Sequence, residues 1–324
     1  MKTDVGIKLR PFAGEADVHA MFLILNDEFK TDGVPAHESE EEMRVWARRA
    51  SDSFDARRDI TVAEVGGRPV GFAERSWVDT TDGKREYRVN GAVLGEWRRH
   101  GIGSALLAEN ERRVGELSAT HDVERPRVLG SWTNDRQTPR TELLRKNGYA
   151  EVRWFFEMVR PLSDPIPEVP LPDGIELRPV TMDNVRQIWK ADIEAFQDHW
   201  GGFDSSEENL QRWIESPSFD PAMWVIAWDG DEVAAGVVNG ISPDENAALR
   251  VQRGWLHSVF TRRQWRKRGL ANALIVRSLR LLADRGMDYG VLGVDAENPS
   301  GALGLYERNG FKVAERSTAW RKPL

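Results

Sequence analysis

The chain has no cysteine among its 324 residues, which excludes disulfides, thiolate metal sites and a cysteine nucleophile. It has no apolar run approaching the roughly 20 residues needed to span a bilayer, and its first ten residues lack the apolar core of a secretory signal. A cytoplasmic protein with no membrane partner is expected. An excess of basic charge is missing too: 45 Lys and Arg stand against 52 Asp and Glu, a formal net charge of −7. That balance argues against nucleic acid as a partner.

The composition, 40% hydrophobic and 30% charged, is that of a soluble globular protein rather than a disordered one. The length exceeds one ordinary core and suits two domains. An internal duplication supports this. Gly6-Ile-Lys-Leu-Arg-Pro-Phe12 recurs as Gly174-Ile-Glu-Leu-Arg-Pro-Val180, and Arg98-Arg-His-Gly101-Ile-Gly103 has its counterpart at Arg266-Lys-Arg-Gly269-Leu-Ala271; both offsets are 168 residues. Two unrelated motifs at one spacing mean a duplicated unit, each copy long enough to be a domain. Arg160–Gly174 holds five prolines, which favour an extended, semi-rigid connection. The expected division is therefore 1–163, a linker at 164–173, and 174–324.

Each copy reads as the same series. In the first, helical patterns at Glu15–Lys30 and Glu38–Ala50 precede a hairpin of Ile60–Val65, Gly66-Gly67 and Pro69–Trp77. Then come a central strand at Tyr87–Val93, a helix to about Leu117, a strand at Arg127–Trp132, a helix stopped by Asn147-Gly148, and a closing strand at Tyr149–Val159. The second repeats the order: helices at Met182–His199 and Ser206–Ile214, a hairpin of Trp224–Trp228 and Val233–Val238, and a central strand at Trp255–Thr261. It continues with a helix at Leu270–Arg285, a strand at Tyr289–Asp295, a helix with Asn298 as N-cap and Pro299 in its first turn, and a closing strand at Phe311–Trp320. The fold class is mixed α/β in two tandem units.

The junction between central strand and helix is the candidate site. Arg266, Lys267, Arg268, Gly269 and Ala271 place backbone amides and cations at a helix N-terminus, where free N–H groups and the helix dipole favour a phosphate. No Gly-Lys-Ser/Thr follows either glycine turn, which sets nucleoside triphosphate hydrolysis aside. A local basic cluster in an acidic chain points to a small anionic ligand.

This order of elements, with Arg-x-x-Gly-x-Gly/Ala opening the central helix and Asn298-x-x-Gly-Ala-Leu-x-Leu-Tyr306-x-x-x-Gly-Phe311 closing the unit, resembles the GCN5-related N-acetyltransferase (GNAT) superfamily over nearly the whole chain. The tandem arrangement resembles its mycothiol synthase-like members, although the position where those commonly carry a central-strand glutamate is Trp255 here. The resemblance implies mostly antiparallel sheets, splayed at their central strands, with helices on both faces. It implies acetyl-CoA as co-substrate, no metal, and a small-molecule amine as acceptor. By the same resemblance, Val259, Phe260 and Thr261 offer backbone groups to the pantetheine and acetyl carbonyl. Arg266, Lys267, Arg268, Gly269, Leu270, Ala271 and Asn272 hold the pyrophosphate, Asn298 contacts the pantetheine, and Tyr306 lies near the sulfur. A possible second acyl-CoA site comprises Val93, Arg98, His100, Gly101 and Gly103.

Tyr306 reads either as a core aromatic in the stripe Ala302, Leu303, Tyr306 or as the proton donor to the leaving thiolate. His257 shares strand parity with Trp255 and Val259, so it is either a structural histidine or the base that takes the amine's proton. His199 ends a helix near the acceptor pocket implied by the family and reads as a loop residue. In the first copy Leu144 stands opposite Tyr306, Arg136 opposite Asn298, and Tyr87 and Val89 opposite Trp255 and His257. That copy is therefore expected to be structural or ligand-holding, with chemistry confined to the second. The competing function is a non-catalytic acyl-CoA-binding or sensing protein.

Overall fold

The computed structural model describes residues 6–48, 50–202, 205–298 and 301–324. The first copy runs β1 (Ile7–Pro11), α1 (Glu15–Asp32), α2 (Glu40–Arg48), α3 (Ala56–Asp59), β2 (Ile60–Val65), β3 (Arg68–Asp79), β4 (Arg85–Val93), α4 (Ile102–Thr120), β5 (Arg127–Asn134), α5 (Thr138–Lys146) and β6 (Ala150–Pro161). The second runs β7 (Ile175–Leu177), α6 (Met182–Phe196), α7 (Glu207–Glu215), β8 (Val225–Asp229), β9 (Glu232–Gly240), α8 (Pro243–Leu249), β10 (Arg253–Thr261), α9 (Leu270–Asp284), β11 (Tyr289–Asp295), α10 (Ala302–Arg308) and β12 (Lys312–Pro323). The Gly66-Gly67 turn between β2 and β3 has φ values of 58° and 81°; two successive left-handed residues match the right-handed twist of a tight hairpin.

Two compact units result, and their boundaries differ from a cut between the sequence copies. One unit consists mainly of Met1–Arg153 with Ser317–Leu324, the other mainly of Trp154–Trp200 with Ser205–Arg316. The closing strands are exchanged. β6 pairs antiparallel with β11 from Tyr289↔Pro161 to Asp295↔Phe155, while β12 pairs antiparallel with β5 from Ser317↔Asn134 to Pro323↔Val128. In a duplicated chain the two closing strands carry equivalent patterns, so neither pattern specifies which sheet it joins. The proline-rich segment is likewise part of the second unit: Arg277 donates to the Val169 carbonyl at 2.8 Å and Arg280 to the Pro167 carbonyl at 3.1 Å, fixing the extended chain along α9.

Among the described residues, the sheet of each unit is antiparallel except at one place. β4 pairs parallel with β5 over Arg85–Arg88, and β10 pairs parallel with β11 over Arg253–Leu256. The amphipathic α9 covers one face of the second sheet, burying Leu270, Leu274, Ile275, Leu279 and Leu282. Gly254 permits this approach, because a Cβ there would lie 2.3 Å from Leu282 Cδ2. α6 packs against β9 and β10 and starts with a capping box between Thr181 and Asn184. Among the described residues, no helix is long and apolar enough to cross a membrane.

Candidate active site

The site in the second unit begins where β10 leaves β11. After Leu256, among the described residues, β10 stays paired with β9 alone as far as Thr261. The outer edge of Val259, Phe260 and Thr261 thus carries hydrogen-bonding groups with no strand partner, which a ligand amide can satisfy. A bulge between Leu256 and Ser258 coincides with the parting. Such bulges re-aim side chains next to active sites, and the residue re-aimed is His257.

β10 then runs into a turn with Lys267 at φ 63° and Gly269 at φ 82°, the latter being the N-cap of α9. The first copy has the same backbone, with Arg99 at φ 66° and Gly101 at φ 88° ahead of α4. Alternating left-handed residues turn successive N–H groups to one side as an anion-binding concavity. α9 has no acidic residue in its first turn and no side-chain cap, so the amides of Leu270, Ala271 and Asn272 face outward uncapped by a side chain. Trp265 anchors the turn, being buried with its indole Nε1 donating to Asp229 at 2.8 Å.

Arg266 differs from the role implied by resemblance. Its guanidinium turns toward α6, donating to the Ala195 carbonyl at 3.0 Å, the Thr261 carbonyl at 3.1 Å and Asp198 at 2.9 Å. It fastens the turn to the end of α6, leaving exposed Lys267 and the loosely paired Arg268, 3.8 Å from Asp229, as the cations beside the amides. Asn272 accepts a hydrogen bond from Asn309 at 2.7 Å, tying α9 to the end of α10. Asn298 is not the N-cap of α10: that helix starts at Ala302 with Gly301, φ 75°, at the cap, and Asn298 belongs to the loop after β11, its N–H donating to Asp295. Pro299 lies outside the described residues.

Tyr306, on α10, belongs to the core of the second unit, with 6% exposure and Phe311 edge-on at 6.1 Å. Burial pushes its phenol up to about 12. His257 stacks in parallel on Trp255 at 5.9 Å and lies over Gly240 of β9, where a Cβ would meet its Nε2 at 2.8 Å. Part of the residue is open to solvent, yet the atoms crowded around the ring hold its pKa below the ordinary value, with Glu245 opposing. The shift favours the neutral imidazole. His199 lies in the turn after α6, its ring against Phe196 at 4.3 Å, and its pKa too is lowered by burial, with Asp295 opposing.

Two groups escaped the sequence reading. Glu245, on α8, accepts from Trp255 Nε1 at 2.8 Å and from Arg253 at 2.6 and 3.1 Å, fixing the residues that precede His257. Ser242-Pro243-Asp244-Glu245 was a usable helix-start signature, and Ser242 does cap Glu245 N–H. Asp192, on α6, accepts from Ser258 Oγ at 2.6 Å, and burial pushes it up to about 6; this contact joins α6 to the bulge.

The corresponding crevice of the first unit is a cavity of about 510 Å³ lined by Gly91, Val93, Arg98, Gly101 and Gly103. Its own side chains occupy the backbone groups equivalent to those of Val259–Thr261. Glu28 of α1, 5% exposed, accepts from Val93 N–H at 3.1 Å and from Gln137 at 2.9 Å, and Arg140 donates to the Gly91 carbonyl at 3.0 Å. Arg98 is held in a two-pronged pair by Asp32, and His100 is turned to the Arg98 carbonyl at 2.9 Å. Glu28→Ala is expected to destabilise this unit by about 3 kcal/mol, because buried donors lose their acceptor. Urea unfolding checks this, and a loss below ~1 kcal/mol would show that the network contributes little.

The chain matches the Acetyltransferase (GNAT) family over residues 18–125 and 185–311. It is 26% identical over 310 residues to a mycothiol acetyltransferase of Geodermatophilus obscurus, covering 95% of this chain and 94% of that one. It is 31% identical over 271 residues to a mycothiol acetyltransferase of Salinispora arenicola, with 81% of each covered. Among solved structures, a GCN5-related N-acetyltransferase from Sphaerobacter thermophilus superposes with a TM-score of 0.70 at 24% identity, over 98% of this chain and 95% of that one. A tandem GNAT protein from the clavulanic acid biosynthesis pathway gives 0.71 at 17% identity, with 98% of both chains covered; these two likenesses are of fold. With a family match in each half, the chain belongs to the GNAT acetyltransferase family as a tandem member.

Proposed function

We propose that the second unit moves an acetyl group from acetyl-CoA to a primary amine of a small molecule, by direct attack in a ternary complex. The observation that carries this reading is the parting of β10 from β11 beside the left-handed turn at Gly269. An open strand edge and an uncapped helix N-terminus together suit a ligand with amides at one end and phosphates at the other. Acetyl-CoA, when bound, supplies a thioester carbonyl ready for acyl transfer.

The edge of Val259, Phe260 and Thr261 hydrogen-bonds the pantetheine amides and polarises the acetyl oxygen. The N–H groups from Gly269 to Asn272 cradle the pyrophosphate, helped by Lys267 and Arg268, and Asn298 borders the pantetheine from the loop after β11. Tyr306 keeps its proton across the working pH range and offers it to the sulfur as negative charge develops there. His257, its neutral form favoured by its surroundings, accepts a proton from the nitrogen as the new bond forms. The relatives' name adds a mycothiol-type acceptor to the polyamines, aminoglycosides and peptides worth testing. The first unit, with Glu28 and Arg140 on the strand-edge backbone groups of its crevice, serves as a structural or ligand-holding partner.

Screening such a panel for acetylated product by mass spectrometry tests the reading. Because the chain has no cysteine, any thiol released with a thiol-free acceptor comes from CoA. One or more amines should be acetylated, and acetyl-CoA binding should weaken at high ionic strength. Tight acetyl-CoA binding without turnover on any acceptor would favour the non-catalytic alternative.

A further inference from the structure

We propose that Glu157, on β6, receives the ammonium group of the acceptor and takes its first proton. This rests on the reading of the second unit as an acetyltransferase and adds a group that the central strand does not supply. The geometry runs across three strands. Val291 of β11 lies opposite Trp255 of β10, and Gly293, two residues on, lies opposite Glu157 of β6. With a side-chain period of two, Trp255, Gly293 and Glu157 share one face of the sheet, and His257, at the bulge, stacks in parallel on Trp255.

Gly293 is exposed, and a Cβ there would meet no atom within 4 Å. Gly293 thus adds no side chain to the space between His257 and Glu157. Two strand spacings make it roughly 10 Å across before the strands part, a width suited to a small amine.

The charges around Glu157 fit a cation. Arg253 Nη1 approaches it at 3.6 Å, but the same guanidinium makes shorter contacts with Glu245, at 2.6 and 3.1 Å. The charged groups acting on Glu157 are Arg253 of β10, Glu245 of α8 and Glu315 of β12, one cation against two further carboxylates. The Glu157 side chain keeps 24% exposure, so it is reachable. Burial pushes its carboxyl up to about 7, Glu245 and Glu315 add to this, and Arg253 opposes it. A carboxylate so placed binds an ammonium and accepts a proton near neutral pH.

The proton balance follows. The ammonium gives one proton to Glu157 and becomes the free amine. Its lone pair forms the C–N bond to the thioester carbon as the C–S bond breaks. The second proton leaves the nitrogen for His257, while the departing thiolate takes one from Tyr306. His257 and Tyr306 then re-equilibrate through solvent, and Glu157 releases its proton to water, leaving amide, free CoA thiol and one proton.

The test is Glu157→Gln, which keeps shape and removes the base, assayed with an amine that the unaltered protein acetylates. The KM for that amine should rise at least tenfold with acetyl-CoA affinity unchanged. The ascending limb of kcat/KM near pH 7 should disappear, with activity returning toward normal at pH 9 to 10, where amine is free in solution. An unchanged amine KM and pH profile would overturn the proposal, as would equal losses in both substrates that alkaline pH does not rescue. If the unaltered protein acetylates no amine, the acetyltransferase reading itself fails, independently of Glu157.

Discussion

Tyr306→Phe is expected to lower kcat by roughly 100-fold, at the lower end of what a positioned proton donor contributes, while acetyl-CoA affinity changes less than about twofold. The ring stays edge-on to Phe311 in the core, and only the hydroxyl is lost. A phenol held at about 12 is a weak acid toward the bound thioester, whose sulfur carries little charge, so it adds little to ground-state binding. As the C–S bond breaks, negative charge gathers on sulfur and the same hydroxyl becomes a strong partner. An interaction made only in the transition state appears in kcat and not in binding. Calorimetry for affinity and steady-state turnover for kcat provide the two readouts; matched losses in both would return Tyr306 to a core-packing role.

The strand, turn and helix at Gly269 and Gly101 were legible because their determinants are local. A glycine, small neighbours and a switch of hydrophobic period from two to 3.6 lie within some thirty residues. The hairpin at Gly66-Gly67 was legible for the same reason. The closing strands were recognised as strands but assigned to the wrong sheets, since pairing between β6 and β11 depends on the whole chain. Glu157 was invisible for that reason: its place beside Gly293 exists only through this pairing. Arg266 was recognised by its motif, but the direction of its guanidinium depends on Asp198 and the Ala195 carbonyl, which no local pattern reveals. Short β1, β7 and α8 fell below the length at which periodicity speaks, although α8 carried its own start signature.

Gly269→Val is expected to abolish acetyl-CoA binding and turnover, and Gly101→Val to leave both within about twofold. Gly269 has φ 82°, a conformation that β-branched residues adopt only under strain of roughly 1–3 kcal/mol. No protein atom lies within 4 Å of a Cβ placed there, so the folded turn has room for the side chain. The damage falls on the ligand, because relaxing φ redirects the N–H groups at the head of α9 and the isopropyl group stands where phosphate oxygens approach. Gly101 has the same φ preference and the same open surroundings, so both variants share the backbone cost. The first crevice, however, already has Glu28 on Val93 N–H and Arg140 on the Gly91 carbonyl, and a pantetheine arm has no free edge to join. Comparable circular dichroism spectra for the two variants separate ligand loss from unfolding.

Calorimetric titration of the full chain with acetyl-CoA tests the division of roles most directly. One site per chain, lost in Gly269→Val and retained in Gly101→Val, is the predicted result; two equivalent sites, or a single site lost in Gly101→Val and retained in Gly269→Val, would contradict it.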